Sequence, residues 1–212
     1  MDEAFWQARW SEGRIGFHEP APNSFLTAYF DTLGLSPGDH VFVPLCGKTR
    51  DIDWLLERGH RVSGIEFNRE AVEAVFVRLG VTPEITADGD LTKFSASALT
   101  LWHGDFFKLT QDNLGSVNAV YDRAALVALP TDLRDAYAKS VPRLTNAAPQ
   151  LLISFDYDQS QMSGPPFSVP EGTIREVYDE TYTIDLVVSQ VIDGPLGLRC
   201  SGREEAWLLH KR

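Results

Sequence analysis

Apolar residues in this chain fall into two kinds of pattern that alternate along its length. Short runs, Val41 to Leu45, Arg61 to Ile65, Leu99 to Trp102, Val117 to Tyr121 and Gln150 to Phe155, read as strands covered on both faces. Between them, apolar side chains recur at the spacing of one helix face. Ile52, Leu55 and Leu56 do so before Gly59, and Val72, Val75, Phe76 and Leu79 do so between a capping Asn68 and Gly80. Leu133, Ala136 and Tyr137 mark a further helix, with Thr131-Asp132 as its N-cap candidate and an end near Leu144. Strand and helix in alternation predict an α/β domain on a mostly parallel sheet. Asp88 to Ala98 is polar and turn-rich and shows no helical pattern.

The two ends depart from this alternation. In residues 1–36, Phe5, Trp6 and Trp10 cluster in a short predicted helix ending near Gly13, and a second helix runs from Asn23 or Ser24 to Leu33. Between them lies the loop Arg14 to Pro20. This aromatic segment either covers one sheet edge or closes over a ligand, with Trp10 and Phe17 as the lid candidates. Past Phe155 comes an irregular stretch, Gln159 to Pro170, long enough to be either mobile or functional. A helix from Glu171 to about Asp179 leads into Tyr182 to Ile192, which alternates, and Glu204 to His210 supplies a last strand. Such an antiparallel two-strand ending marks methyltransferases rather than dehydrogenases.

Val41 to Glu66 forms the first half of a doubly wound nucleotide-binding pattern. Its turn, Pro44-Leu45-Cys46-Gly47-Lys48, holds one glycine where a pyrophosphate-binding turn has three. Few close amides are therefore offered, and an adenosine cofactor without a pyrophosphate is expected, S-adenosylmethionine being the obvious one. Glu66, at the tip of the second strand, is placed to accept from both ribose hydroxyls. Aromatic faces in the N-terminal segment suit a sulfonium cation. Asp105, just past the third strand, either accepts from an adenine amino group while the adjacent Phe106 covers the ring, or caps the following turn. Asp122-Arg123 ends a buried strand, which is costly unless the pair is matched or serves a site. Cys46 is either a nucleophile or a small side chain packed behind the turn.

Composition narrows the field. The chain has 212 residues with a formal net charge of −11, which argues against a nucleic-acid partner and fits poorly with an anionic membrane surface. No apolar run approaches the roughly 18–20 residues of a membrane span, and the N-terminus lacks a secretory pattern, so a cytoplasmic protein is expected. Two cysteines give no disulfide framework, and five scattered histidines give no metal-binding spacing, so no metal site is expected. Two competing readings are a nicotinamide-dependent oxidoreductase, opposed by the single-glycine turn and the two-strand ending, and a non-catalytic module that binds the cofactor or a chalcogen anion.

With these residues assembled, the chain resembles the thiopurine S-methyltransferase family. The resemblance rests on Val43 to Lys48 (VPLCGK), Arg58 to Glu66 (RGHRVSGIE), Asp122-Arg123 with Ala125 to Ala128, and Gly164-Pro165-Pro166-Phe167. It implies a Rossmann-like class I methyltransferase fold: a mostly parallel seven-stranded sheet with an antiparallel C-terminal strand and a helical N-terminal extension. All of 1–212 would be one domain, with 1–36 as a cap over the cofactor. It also implies methyl transfer from S-adenosylmethionine to aromatic and heterocyclic thiols, with S-adenosylhomocysteine as product, and relates the chain to enzymes acting on selenium or tellurium compounds. The family's cofactor contacts fall on Trp10, Leu45, Glu66 and Arg123, with Asp105 and Phe106 lining the adenine. Arg123 would also orient the acceptor, and Phe17, Pro166 and Phe167 would wall its pocket. The partner is then a small thiol or chalcogen compound, and a monomer is the expected state.

Overall fold

Five parallel strands form the middle of one nine-stranded sheet. The computed structural model describes residues 6, 8–10, 12–13 and 18–212. In chain order the elements are α1 (Ser24–Tyr29), β1 (His40–Val43), α2 (Asp51–Glu57), β2 (Arg61–Glu66), α3 (Arg69–Leu79), β3 (Glu84–Asp88), β4 (Leu91–Ala96), β5 (Leu99–His103), α4 (Gln111–Leu114), β6 (Ala119–Arg123), α5 (Thr131–Thr145), β7 (Gln150–Tyr157), α6 (Glu171–Tyr178), β8 (Tyr182–Val191), α7 (Gly194–Gly197) and β9 (Gly202–Lys211). The strand order is β3-β4-β5-β2-β1-β6-β7-β9-β8. β9 runs antiparallel to both β7 and β8, so the expected ending is present.

The sheet has nine strands rather than seven because 84–96 folds as an antiparallel hairpin beyond β5. Every residue of β3 is exposed, and β4 buries only Leu91 and Phe94, three positions apart. Neither strand therefore carries the period-two alternation that would reveal it. α5 starts at Thr131 behind Pro130, with no side-chain cap, so Thr131-Asp132 is not the N-cap. Asn23 and Asn68 do cap: the Asn23 side chain accepts from the amides of Phe25 and Leu26, and that of Asn68 from Ala71.

Two apolar layers flank the sheet. On one face Phe42, Ile65, Val120, Leu152 and Trp207 pack with Tyr137 of α5 and Ile174 of α6. On the other, Val41, Val43, Tyr121, Ile153 and Ala206 pack with Leu26 of α1, Ile52 of α2 and Val75 of α3. β1 is buried at all four positions, as a strand covered on both faces must be. Helix layers on both faces leave the carboxyl ends of the parallel strands as the open edge where such folds bind ligands. Among the described residues no helix is long and apolar enough to cross a membrane.

Candidate active site

The turn after β1 is held in an unusual backbone shape. Leu45 has φ 45° and Gly47 φ 52°. For leucine this left-handed geometry costs on the order of 1–3 kcal/mol and persists only where neighbours impose it. They do so here. The Cys46 amide donates to the Ile65 carbonyl at 3.0 Å, and the Gly47 amide donates to Glu66 Oε2 at 2.8 Å. Glu66 Oε1 in turn accepts from the Asn68 amide at 2.8 Å. One carboxylate thus joins the loops that follow β1 and β2, and a carboxylate offers about four acceptor positions, so two bonds leave it able to accept more. Burial pushes the Glu66 carboxyl upward, and the amides of Asn68, Gly47 and Phe67 work against that shift.

Of two charged residues outside the motifs, one braces this turn and the other ties together the elements beside it. Arg78, in the last turn of α3, donates from Nη1 to the Lys48 carbonyl at 2.8 Å and from Nη2 to the Thr49 carbonyl at 2.9 Å. Its Nε and Nη2 also bond Asp53, and both side chains are mostly shielded from solvent. Asp51 is 1% exposed and accepts from the Asn23 amide at 2.7 Å and from the Tyr121 hydroxyl at 3.1 Å. It ties the N-terminal segment to α2 and to the middle of β6. Sequence reading missed both residues: a helix-terminal arginine and a helix-initial aspartate pass for dipole partners.

The N-terminal segment crosses this edge. The Lys48 ammonium lies 5.6 Å from the centroid of the half-buried Trp10 ring. His18 sits among cations. Burial, then Lys48, Arg78, Arg50 and Arg123, hold its imidazole below the usual histidine value, favouring the neutral ring. Glu19 accepts an ion-paired hydrogen bond from Arg123 Nη2 at the end of β6. Phe17, the expected acceptor-side aromatic, and Phe5 lie outside the described residues.

Asp105 is half-buried and its side chain accepts from the Phe107 amide at 3.1 Å, so it caps the turn that follows β5. Phe106 is 1% exposed and packs on Tyr137 with ring centroids 4.9 Å apart. A ring so placed is core and does not present a face at the edge; the adjacent Phe107 is the more open of the two. Asp122 and Arg123 are not paired to each other. Asp122 accepts from the Tyr137 hydroxyl at 2.5 Å and the Leu126 amide at 3.1 Å, and burial lifts its carboxyl to about 6. Arg123 points the other way, toward Glu19. The stretch from Gln159 to Pro170 is pinned: Tyr157 donates its hydroxyl to the Pro166 carbonyl at 2.6 Å, and the Phe167 amide donates to the Val127 carbonyl at 2.6 Å. The Phe167 ring lies against Gly164, whose φ is 77°; a Cβ there would come within 2.6 Å of the ring. Pro166 and Phe167 are thus fastened to the segment just beyond Arg123.

Cys46 is 5% exposed, and burial together with Glu66 drives its thiol well above the ordinary range. A thiol that stays protonated is a poor nucleophile, so it packs behind the turn. Among the described residues no His, Cys, Asp and Glu cluster could hold a metal ion. A depression of about 270 Å³ between Phe30, Pro37, Arg58 and His60 opens at the amino ends of β1 and β2, away from this site.

Sheet order, the turn after β1 and the acid ending β2 together define a Rossmann-like methyltransferase. The chain superposes with TM-score 0.68 on the Burkholderia thailandensis 1,6-didemethyltoxoflavin-N1-methyltransferase solved with S-adenosylhomocysteine, at 16% identity and covering 99% of this chain and 87% of that one. Residues 1–206 match the family described as Thiopurine S-methyltransferase (TPMT). A Thiopurine S-methyltransferase of Xanthobacter autotrophicus is 50% identical over 212 residues, spanning 100% of both chains, and one of Gluconobacter oxydans is 45% identical over 96% of this chain and 92% of its own. The chain belongs to the thiopurine S-methyltransferase family and is an S-adenosylmethionine-dependent methyltransferase.

Proposed function

We propose that the enzyme moves a methyl group to the sulfur of aromatic or heterocyclic thiols. The observation that carries this reading is the 50% identity, end to end, with a protein named for that reaction. When bound, S-adenosylmethionine supplies an electrophilic methyl carbon on a sulfonium sulfur. The residues fit such a group: a carboxylate with acceptor capacity to spare at Glu66, a single-glycine turn at Leu45 to Gly47, and an indole at Trp10. In this reading Glu66 accepts from the ribose hydroxyls, and Leu45 and the Asp105-Phe106 turn border the adenosine. Phe106 contributes its backbone there, since its ring belongs to the core. Trp10 and Phe17 exclude water, which strengthens every charge interaction inside.

Arg123 attracts and orients an anionic acceptor beside the wall made by Pro166 and Phe167, besides bordering the cofactor. Alignment of nucleophile, carbon and leaving sulfur is the main contribution such a site makes, and it can supply several kcal/mol. All 212 residues serve as one domain with 1–36 as its cap, and the enzyme works as a cytoplasmic monomer on a small molecule.

The test is an acceptor screen over heteroaromatic thiols, selenols and tellurium oxyanions with products identified by mass. Methylated heteroaromatic thiols are expected among the products, and methylated selenols with them because the heavier chalcogen is more acidic and more nucleophilic. Methylation confined to nitrogen or oxygen acceptors would overturn the thiol assignment.

A further inference from the structure

We propose that Glu204 is the base that takes the proton from an acceptor thiol still protonated at neutral pH, acting beside Arg123 at the carboxyl edge of the sheet. This rests on the thiol reading above. Glu204 lies at the start of β9, opposite Phe155 of β7 and Gln190 of β8. The register places it on the face of the sheet that carries Arg123. Arg123 pairs with Ile153, and Ile153 with Ala206, so these three share one face of the sheet. Glu204 precedes Ala206 by two residues and so faces the same way. It stands one step further toward the edge from which Arg123 meets Glu19.

Its carboxylate is half-buried, yet among the described residues it makes no hydrogen bond or ion pair. That is unusual for an acid out of full solvent contact. The groups facing it are Glu19 of the N-terminal segment, Arg123 of β6 and Asp193 before α7, with Phe155 and Gln190 flanking it in the sheet. Burial first, then Glu19, and more weakly Asp193, push the Glu204 carboxyl up, against Arg123, to about 7. A base works best when its own value is near the working pH. Among the described residues no neighbouring group is as well placed. Asp122 is fully buried on the opposite face and engaged by Tyr137. Glu19 is committed to Arg123, and His18 stands among Lys48, Arg78 and Arg50.

The step balances. The acceptor's S–H bond breaks and its proton passes to the Glu204 carboxylate. The freed sulfur electron pair forms the new bond to the methyl carbon, whose bond to the sulfonium sulfur breaks and leaves its pair there as a neutral thioether. The proton then leaves Glu204 for solvent. Acceptors that are already thiolates bypass the transfer and need only Arg123.

The experiment compares Glu204→Gln with the unaltered enzyme on two thiols of similar size: benzyl mercaptan, protonated at pH 7, and 4-nitrobenzenethiol, already ionised. The variant is expected to lose about 10²-fold in kcat/KM on benzyl mercaptan, and at least tenfold more than on 4-nitrobenzenethiol. In the unaltered enzyme, kcat/KM for benzyl mercaptan should rise with pH through the Glu204 ionisation, and that limb should be missing for 4-nitrobenzenethiol. Equal losses on the two thiols, or the absence of that limb in the unaltered enzyme, would overturn the role of Glu204 while leaving the thiol assignment standing. If the unaltered enzyme methylates 4-nitrobenzenethiol but not benzyl mercaptan, no protonated thiol is taken and the role of Glu204 falls; if it methylates neither, the thiol assignment falls and takes this role with it.

Discussion

Arg78 reaches from the end of α3 to the carbonyl of Lys48 at 2.8 Å, so the turn that follows the first strand is fastened by a helix thirty residues further on. The same guanidinium holds the Thr49 carbonyl and the Asp53 carboxylate. Arg78→Ala removes all of these at a largely shielded site and should cost about 2–4 kcal/mol, since hydrogen bonds to charged groups and shielded ion pairs are the expensive ones to break. Urea unfolding reads the loss. Arg78→Lys should recover little of it, because one ammonium cannot serve three acceptors in the geometry of a guanidinium.

Glu66 connects two loops through the amides of Gly47 and Asn68. Glu66→Ala should weaken S-adenosylmethionine binding by more than tenfold, about 1.4 kcal/mol or more, with the circular dichroism spectrum unchanged. Glu66→Gln keeps an acceptor oxygen and should fall between. Calorimetric titration distinguishes the three, and an unaltered affinity in the alanine variant would remove Glu66 from the cofactor site.

How much of this could be read from the chain alone depended on how far apart the partners lie. Glu66 was visible because the strand–turn–helix–strand period counts out its position, and the VPLCGK turn marks Leu45 and Gly47 directly. Arg78, Asp51 and Glu204 were invisible as site neighbours. Their meaning comes from contacts across 29 residues in the Arg78–Thr49 bond and 104 in the Arg123–Glu19 pair that sits near Glu204. The hairpin of β3 and β4 escaped because an edge with no buried face writes no alternation. Phe106 shows the reverse limit: sequence placed it beside the adenine edge, but only packing could reveal that its ring turns inward against Tyr137.

Asp122 sets a pH dependence. Its carboxyl is fully buried and its value rises from an ordinary 3.8 to about 6, chiefly through loss of water. An acid raised on folding favours the folded state while protonated. Its benefit is complete below about pH 4 and is lost as pH climbs through 6. Relative to acid conditions the ionised group costs about 3 kcal/mol at neutral pH. Asp122→Asn can still accept from Leu126 and meet Tyr137, so the stability difference between the two proteins should move in the variant's favour by about that amount between pH 4 and 7. Denaturant unfolding across that range gives the answer.

Gly64, in the middle of β2, has no room for a side chain. A Cβ there would come within 2.8 Å of Cys46 Sγ, 2.9 Å of Leu101 Cδ2 and 3.1 Å of the Val43 carbonyl oxygen. Gly64→Ala should therefore destabilise the protein by about 1–3 kcal/mol through overpacking, and it should loosen the turn at Leu45 because Cys46 Sγ, together with Leu101 Cδ2, must yield. A lowered melting temperature together with weaker S-adenosylmethionine binding is the expected pair of results.

Both cysteines are walled off: Cys46 is 5% and Cys200 3% exposed, and burial raises both thiols. Exchange with a disulfide needs an accessible thiolate. On the proposed thiol reading, the enzyme offers no accessible cysteine for its acceptors, or their oxidised dimers, to capture. It should survive prolonged exposure to mixed-disulfide-forming acceptors without accumulating adducts.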